Sequence, residues 1–424
     1  MRKTILLIFL GFITLPTIAQ DVLHLKDCYE LAINNYPLIK QKALIKRVEK
    51  NRLEQLEKRF LPTVNMNLQA GYQSDVTTLL IDDASANGMS LPNISKDQYR
   101  TNLDIQQLIW DGGIKREQKK LESLDRQISE QELDVELYKI KDRVNQLFFN
   151  NLLLEKQLLI LSLSKKTLVN NIEALNHVIA QGMALESDAN VLSAEVISID
   201  QQITGLKHNR ISILKVLGFY IGKELDENQK FEFIDHEQNF RSLQIDRPEI
   251  RSFELNREKQ KVAILQLEAS KKPILSGSGQ LGYGRPVLNM LSNKFDAYYK
   301  VGLNLSWKLW DWNKKNKDQK LLGIRSEMIT ANQKTFEHNV WIKNQQNNSE
   351  VNKLEEFLLQ DQEIIQLRIN IRAIAESKLK KGSLTSADYL TEFNKETQSK
   401  LNYEYHKIQL ALAKYNLKYN LGQL

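Results

Sequence analysis

The chain has 424 residues, 59 basic against 52 acidic side chains, a formal charge of +7 and only 7 prolines. A mean hydropathy of −0.43 and the lack of any long apolar span exclude a helical inner-membrane protein. Basic and acidic residues are interspersed, so the patterning gives no support to a nucleic-acid partner.

Residues 1–19 read as a secretory signal peptide. Arg2 and Lys3 precede an apolar core from Ile5 to Ile13, and Thr17-Ile18-Ala19 places small residues for a cut after Ala19. No cysteine follows that cut directly, which speaks against a lipid anchor. The only cysteine, Cys28, has no partner for an internal disulfide and reads as a small buried helix residue.

A helix is predicted over roughly 25–58, ending before Pro62. The period then changes to two. Val64, Met66, Leu68, Ala70 and Tyr72 alternate with Asn65, Asn67, Gln69 and Gly71, which predicts a strand with one apolar and one polar face. A loop over 74–98 leads to a less regular strand, Tyr99 to Trp110. Residues 113–181 contain no proline and only Gly113, with apolar residues at helical spacing, so one very long, coiled-coil-like helix is expected. Gly182 stands where a glycine ends such a helix, and a return helix is expected over about 186–217.

The order then repeats. Pro37 and Pro62 recur as Pro248 and Pro273, each offset by 211; Trp110-Asp111, Gly182 and Asp188 recur as Trp310-Asp311, Gly382 and Asp388, each offset by 200. The chain is a tandem duplication, its first copy 11 residues longer between Pro62 and Trp110. The domain reading is a first repeat over 20–220, a linker over 221–246 and a second repeat over 247–424. The second copy supplies a helix over 248–271 and a strand with Leu275, Leu281 and Tyr283 on one face. It ends in the clearest strand of all, with Tyr299, Val301, Leu303, Leu305, Trp307 and Leu309 facing one way. A tract over 313–381 and a return helix over 385–420 complete it.

Strands of about ten residues with one apolar face have the length and pattern of strands in an outer membrane. Tyr99, Trp110, Tyr298, Tyr299, Trp307 and Trp310 sit near strand ends as interfacial girdles do. Four strands cannot close a barrel, and an open edge in lipid leaves unpaired backbone groups. Two chains would supply eight strands and three would supply twelve, so closure demands an oligomer whose number the pattern leaves open.

Several short motifs carry a resemblance: Ala32-Ile33-Asn34-Asn35-Tyr36-Pro37, Phe60-Leu61-Pro62, Gln107 to Gly113, Arg247-Pro248-Glu249, Trp307 to Trp312, and Gly382 to Leu390. In this order, and duplicated, they resemble the TolC-like outer-membrane efflux protein family over nearly the whole mature chain. The resemblance implies a mainly α fold with a small β part, in which a homotrimer shares a twelve-stranded transmembrane β-barrel and a trimeric α-barrel of long helices. It implies an outer-membrane exit duct of a tripartite efflux or type I secretion system, with a periplasmic adaptor protein and an inner-membrane transporter as partners. The main alternative is the periplasmic adaptor itself, which would show one helical hairpin inside glycine-rich β-domains.

The resemblance also implies site roles. Asp388 is similar to an aspartate that narrows the periplasmic aperture, and Asp188 to its first-copy counterpart; Glu186 and Leu384 stand beside them as gate candidates. Gly182, Gly382, Lys380 and Lys381 mark the helical tips that an adaptor would contact. Asp388 has a second reading, as an acid in the first turn of its helix in the capping sequence Thr385-x-x-Asp388. Leu384, Thr391 and Leu379 depart from the family's arginine, second aspartate and aromatic.

Gly277-Ser278-Gly279-Gln280-Leu281-Gly282 spells a dinucleotide fingerprint, but a strand runs through it and Arg285-Pro286 follows in place of a helix. The six histidines have no metal-ligand spacing. The expectation is a channel with no catalytic residues, cofactor or metal.

Overall fold

The computed structural model describes residues 22–76, 94–233, 244–289 and 292–424. The signal segment and parts of the predicted loops and linker lie outside these residues. The elements run β1 (Leu23–His24), α1 (Leu25–Asn35), α2 (Gln41–Lys58), β2 (Thr63–Tyr72), β3 (Asp97–Trp110), α3 (Ile114–Ala180) and α4 (Glu186–Ile221). They continue with β4 (Phe231–Glu232), α5 (Pro248–Ala269), β5 (Ile274–Arg285), β6 (Asp296–Ser306), α6 (Lys314–Lys380) and α7 (Ser386–Leu421). The two long tracts are single helices of 67 residues each, as their lack of proline predicts.

Three expectations are corrected. The helix expected over 25–58 is two helices, because Tyr36 before Pro37 is extended (ψ 128°) and a 3₁₀ turn, Pro37–Lys40, follows. The last strand stops at Ser306, three residues short of the predicted Leu309, so Trp307 lies outside it. In the ladder Ser306 faces Ile274, and the next partner would be Pro273, which has no N–H to give. The predicted linker also contains β4, which pairs in parallel with β1. Two-residue strands are too short to leave a period in the sequence.

The chain forms two compact units, and neither is one sequence repeat. One unit joins residues 40–134 and 248–336; the other joins 1–39, 135–247 and 337–424. Each takes matching pieces of both copies.

The unit of 40–134 and 248–336 holds the sheet, in the order β2-β3-β5-β6, antiparallel throughout. Register separates its faces. Met66, Leu103, Leu281 and Tyr299 form one row across the four strands, and Val64, Ile105, Gly279 and Val301 the next. The opposite face carries Asn65, Asp104, Gln280 and Lys300, then Asn67, Asn102, Gly282 and Tyr298. That polar face is cross-linked: Asp104 accepts from Asn67 Nδ2 and Gln280 Nε2, both at 2.6 Å, and the Tyr298 hydroxyl donates to Asn102 Oδ1 at 2.6 Å. A Cβ on Gly282 would meet the Tyr298 ring at 2.4 Å, so glycine is required for that ring to lie across the strand. The glycine-rich run of β5 is therefore strand architecture. Among the described residues nothing covers the apolar face: Val301 is 83% exposed, with Leu303, Leu68 and Leu305 also open. Below the sheet, Leu121, Leu124 and Ile128 of α3 pack with Leu255 and Val262 of α5.

The repeated Trp-Asp pair has a structural explanation. Asp111 accepts from the backbone N–H groups of Gly113 (2.9 Å) and Lys115 (2.6 Å), and Asp311 accepts from that of Lys315 (3.2 Å). Each aspartate satisfies donors exposed at the start of a 67-residue helix. A Cβ at Gly112 would come within 2.9 Å of the Ala269 carbonyl.

In the other unit, Phe148 and Phe149 of α3 meet Phe231, Phe233 and Tyr415 at ring separations of 5.2–5.4 Å. Asn35 Nδ2 donates to the carbonyls of Phe219 (2.9 Å) and Tyr220 (3.2 Å) at the end of α4, beside Gly222. The second copy repeats the arrangement at the end of α7, where Asp246 N–H donates to the Leu421 carbonyl at 2.7 Å beside Gly422.

Candidate functional site

The predicted aperture and adaptor-contact residues gather at two helical turns, one joining α3 to α4 and the other α6 to α7, within the second unit described above, while the predicted membrane-facing residues Tyr299 to Trp307 lie in the unit that holds the sheet. Both turns close the same way. Gly182 and Gly382 are left-handed (φ 73° and 69°). Gly182 N–H donates to Ile179 O (2.9 Å) and Met183 N–H to Val178 O (3.1 Å); Gly382 N–H donates to Leu379 O (3.0 Å) and Ser383 N–H to Lys378 O (3.0 Å). This paired pattern is the Schellman motif, which a Cβ at the glycine would strain.

The next helices start differently. Thr385 caps α7: its hydroxyl oxygen accepts from Asp388 N–H (3.1 Å) while its O–H donates to Asp388 Oδ2 (2.7 Å). At α4 the same position is Leu185, which offers no side-chain cap. Asp188 instead accepts, at 3.4 Å, from Ser386 N–H of the other turn. The two aspartates are equivalent in sequence but not in role: one serves its own helix and the other ties the two turns together.

A cleft of about 370 Å³ lies between the turns, with Leu175, Ala184, Leu379 and Leu384 on its apolar side and Asp188, Thr385 and Asp388 on its polar side. Leu384 packs onto the core. Glu186, Lys380 and Lys381 are exposed and are not drawn into the cleft; Lys380 pairs with Glu376 at 2.8 Å.

Beneath the turns is a core of Leu161, Leu168 and Leu175 on α3, Leu192 and Ile199 on α4, and Leu379, Tyr389 and Phe393 from the second hairpin. The seven-residue spacing within α3 and within α4 is that of coiled helices. Tyr389 is fully buried, and its hydroxyl accepts from Asn171 Nδ2 at 2.6 Å. Burial, with Glu376 next, pushes its pKa up to about 12.

With this geometry in view, solved structures give clear matches. The Campylobacter jejuni CmeC outer membrane channel matches with a TM-score of 0.64 at 15% identity, over 94% of this chain and 85% of that one. The Vibrio cholerae outer membrane protein VceC matches at 0.67 and 14%, over 94% and 96%. The open state of the Neisseria gonorrhoeae MtrE outer membrane channel matches at 0.67 and 13%, over 94% and 88%. The chain has the TolC-like fold. No family model and no curated protein matches the sequence.

The site of this TolC-like chain includes side chains that sequence reasoning missed. Arg372 Nε donates to Glu396 (2.7 Å) and Arg368 to Glu392 (3.1 Å), joining α6 to α7; Lys400 adds a 2.5 Å bond to Glu396. Glu396 is buried, so this is more than a solvated surface pair. A signal was present: two arginines one turn apart before Gly382 answer two glutamates one turn apart after it. In the corresponding region of the first hairpin the ion pair among the described residues is Lys165–Asp200 (2.7 Å).

Proposed function

We propose that the protein is the outer-membrane exit duct of a tripartite efflux or type I secretion system. Three copies would close their sheets into one twelve-stranded barrel. The observation that carries this is the sheet itself: four strands, open at β2 and β6, with an uncovered apolar face and a cross-linked polar one. At about 3.3 Å per residue and a tilt near 45°, strands of ten to fourteen residues rise roughly 23–33 Å, enough to cover an apolar band of about 25 Å. Joining β6 of one copy to β2 of the next would pair every open edge, which a hydrocarbon environment requires. The fold of known outer-membrane channels supports the same reading.

The polar face would line a water-filled lumen, and conduction would be passive. A periplasmic adaptor would engage the two turns by helix-groove packing, and an inner-membrane transporter would supply energy and selectivity. Asp188 and Asp388 would set the charge at the periplasmic aperture in threefold rings.

Membrane fractionation, with mass measurement in mild detergent, tests the assembly. An outer-membrane trimer that dissociates on heating is expected; a soluble monomer with Val301, Leu303 and Leu305 buried would refute it. Substitutions at Gly182, Gly382, Asp188 and Asp388 should then abolish efflux at unchanged protein level. Neutralising Asp388 should alter single-channel conductance in planar bilayers.

A further inference from the structure

We infer that the helix-side end of the sheet is a binding belt for anionic phospholipid headgroups, an inference that rests on the membrane reading above. This end is where β2 and β5 begin and β3 and β6 finish. Four of the chain's five tryptophans lie here: Trp110, Trp307, Trp310 and Trp312. All four are exposed, Trp312 at 86%. Indoles with one apolar face and one N–H favour the headgroup level of a bilayer.

Charge makes the second observation. Segments 57–61, 110–120, 268–273 and 307–320 hold 13 basic against six acidic side chains, a net of +7 (13−6). At the other end of the sheet, segments 72–76, 94–98, 284–289 and 292–297 hold three of each and are neutral. Five of the six acids of the basic end, all but Asp318, are already committed. Asp111 and Asp311 cap helices, Glu57 binds Lys115 and Lys119, Glu117 binds Arg116 and Lys120, and Glu268 binds Lys271. Hydrogen bonds from Lys115 and Lys119 hold the Glu57 carboxyl down to about 2, so that acid stays charged and engaged.

Lys272, Lys308, Lys314, Lys317 and Lys320 are exposed and make no ion pair among the described residues. Lys308 stands between Trp307 and Trp310 in the chain, so ammonium and indole groups alternate along one short segment. A solvated basic face alone would not need tryptophans, and an aromatic girdle alone would not need the cations. Together they fit a surface that is apolar at one depth and anionic at the next. The belt would fix the depth of the barrel.

The test is tryptophan quenching in the full-length protein reconstituted in phosphatidylethanolamine–phosphatidylglycerol vesicles. One preparation carries bromine on the phosphatidylglycerol chains and the other on the phosphatidylethanolamine chains. Per molecule, the anionic lipid should quench about fivefold more strongly, the factor expected of one engaged lysine at an anionic surface. The variant K308Q/K314Q/K317Q/K320Q should lose this preference while zwitterionic quenching persists. Equal quenching by both lipids in the parent protein, or a preference unchanged in the variant, overturns the anionic belt and leaves membrane insertion standing. Absence of quenching by either lipid overturns the membrane reading, and the belt with it.

Discussion

The two helical hairpins descend from one unit and keep the same turn, yet they are held together by different chemistry. Gly182 and Gly382 close identical Schellman motifs. Around the first turn, the joining forces are mainly apolar: Leu161, Leu168 and Leu175 against Leu192 and Ile199, with the Lys165–Asp200 pair at the edge and, farther from the turn, Arg210 of α4 reaching Asn151 and Glu155 of α3. Around the second, arginines of α6 reach glutamates of α7, one of them buried, and Tyr389 sits fully enclosed against Asn171 of the first hairpin. Backbone geometry is conserved within the molecule because only glycine satisfies it cheaply. Side-chain chemistry is free to diverge wherever another set of contacts closes the same helices.

Unequal consequences follow for the two hairpins. Arg372→Met leaves Glu396 buried with Lys400 as its remaining partner and should destabilise the second hairpin locally by about 3 kcal/mol. Hydrogen exchange of amides in 368–400 should accelerate by about two orders of magnitude. Lys165→Met removes a pair whose side chains are 37% and 47% exposed, and the cost there should stay below about 0.5 kcal/mol. Equal acceleration in both hairpins would show that the chemical difference has no energetic weight. Tyr389→Phe comes next. It leaves the buried Asn171 amide without its acceptor, at about 1–2 kcal/mol, and exchange should rise in both hairpins because the bond joins them.

The caps sharpen the comparison further. Thr385→Ala should cost about 1 kcal/mol in the second hairpin, read as faster exchange in the first turn of α7. Leu185→Thr in the first should stabilise by a similar amount or less, since Leu185 is 69% exposed and loses little packing. The same substitution offers Asp188 a local partner. The Asp188–Ser386 bond should weaken, and Ser386 N–H should exchange faster even as α4 gains stability.

These differences mark how far the sequence could be read. The duplication, the two long helices, the glycine turns and the alternating faces of β2, β5 and β6 all follow from periodicity and from two residue types with restricted backbones. Their signals are long or singular, so they survive without tertiary information. The end of β6 at Ser306 depends on facing Pro273, a cross-strand fact that no local window contains. The short β1–β4 pair depends on distant segments meeting. At the tip, Asp188 and Asp388 were found by symmetry, but symmetry also suggested matching roles. The exchange of Leu185 for Thr385 at the cap position separates them, and its meaning emerges only once hydrogen-bond partners are known. The Arg–Glu ladder was visible as spaced charges, although such charges are ordinarily a solvated face.

The smallest effect concerns acid. Hydrogen bonding from Lys395, supported by the charges of Lys395 and Arg368, holds the Glu392 carboxyl below the usual carboxylate range. A carboxylate with a depressed folded-state pKa contributes stability that is fully present above its unfolded value, about 4.3, and is lost as pH falls through the folded value. The second hairpin should therefore loosen slightly more than the first below about pH 4.3, with exchange in 388–396 rising ahead of that in 188–196. Glu392→Gln should remove this part of the pH dependence and leave neutral-pH exchange nearly unchanged, because the pair is partly solvated. If the variant and the parent track each other down to pH 3, Glu392 contributes nothing to the difference between the hairpins, and the buried Arg372–Glu396 pair carries it.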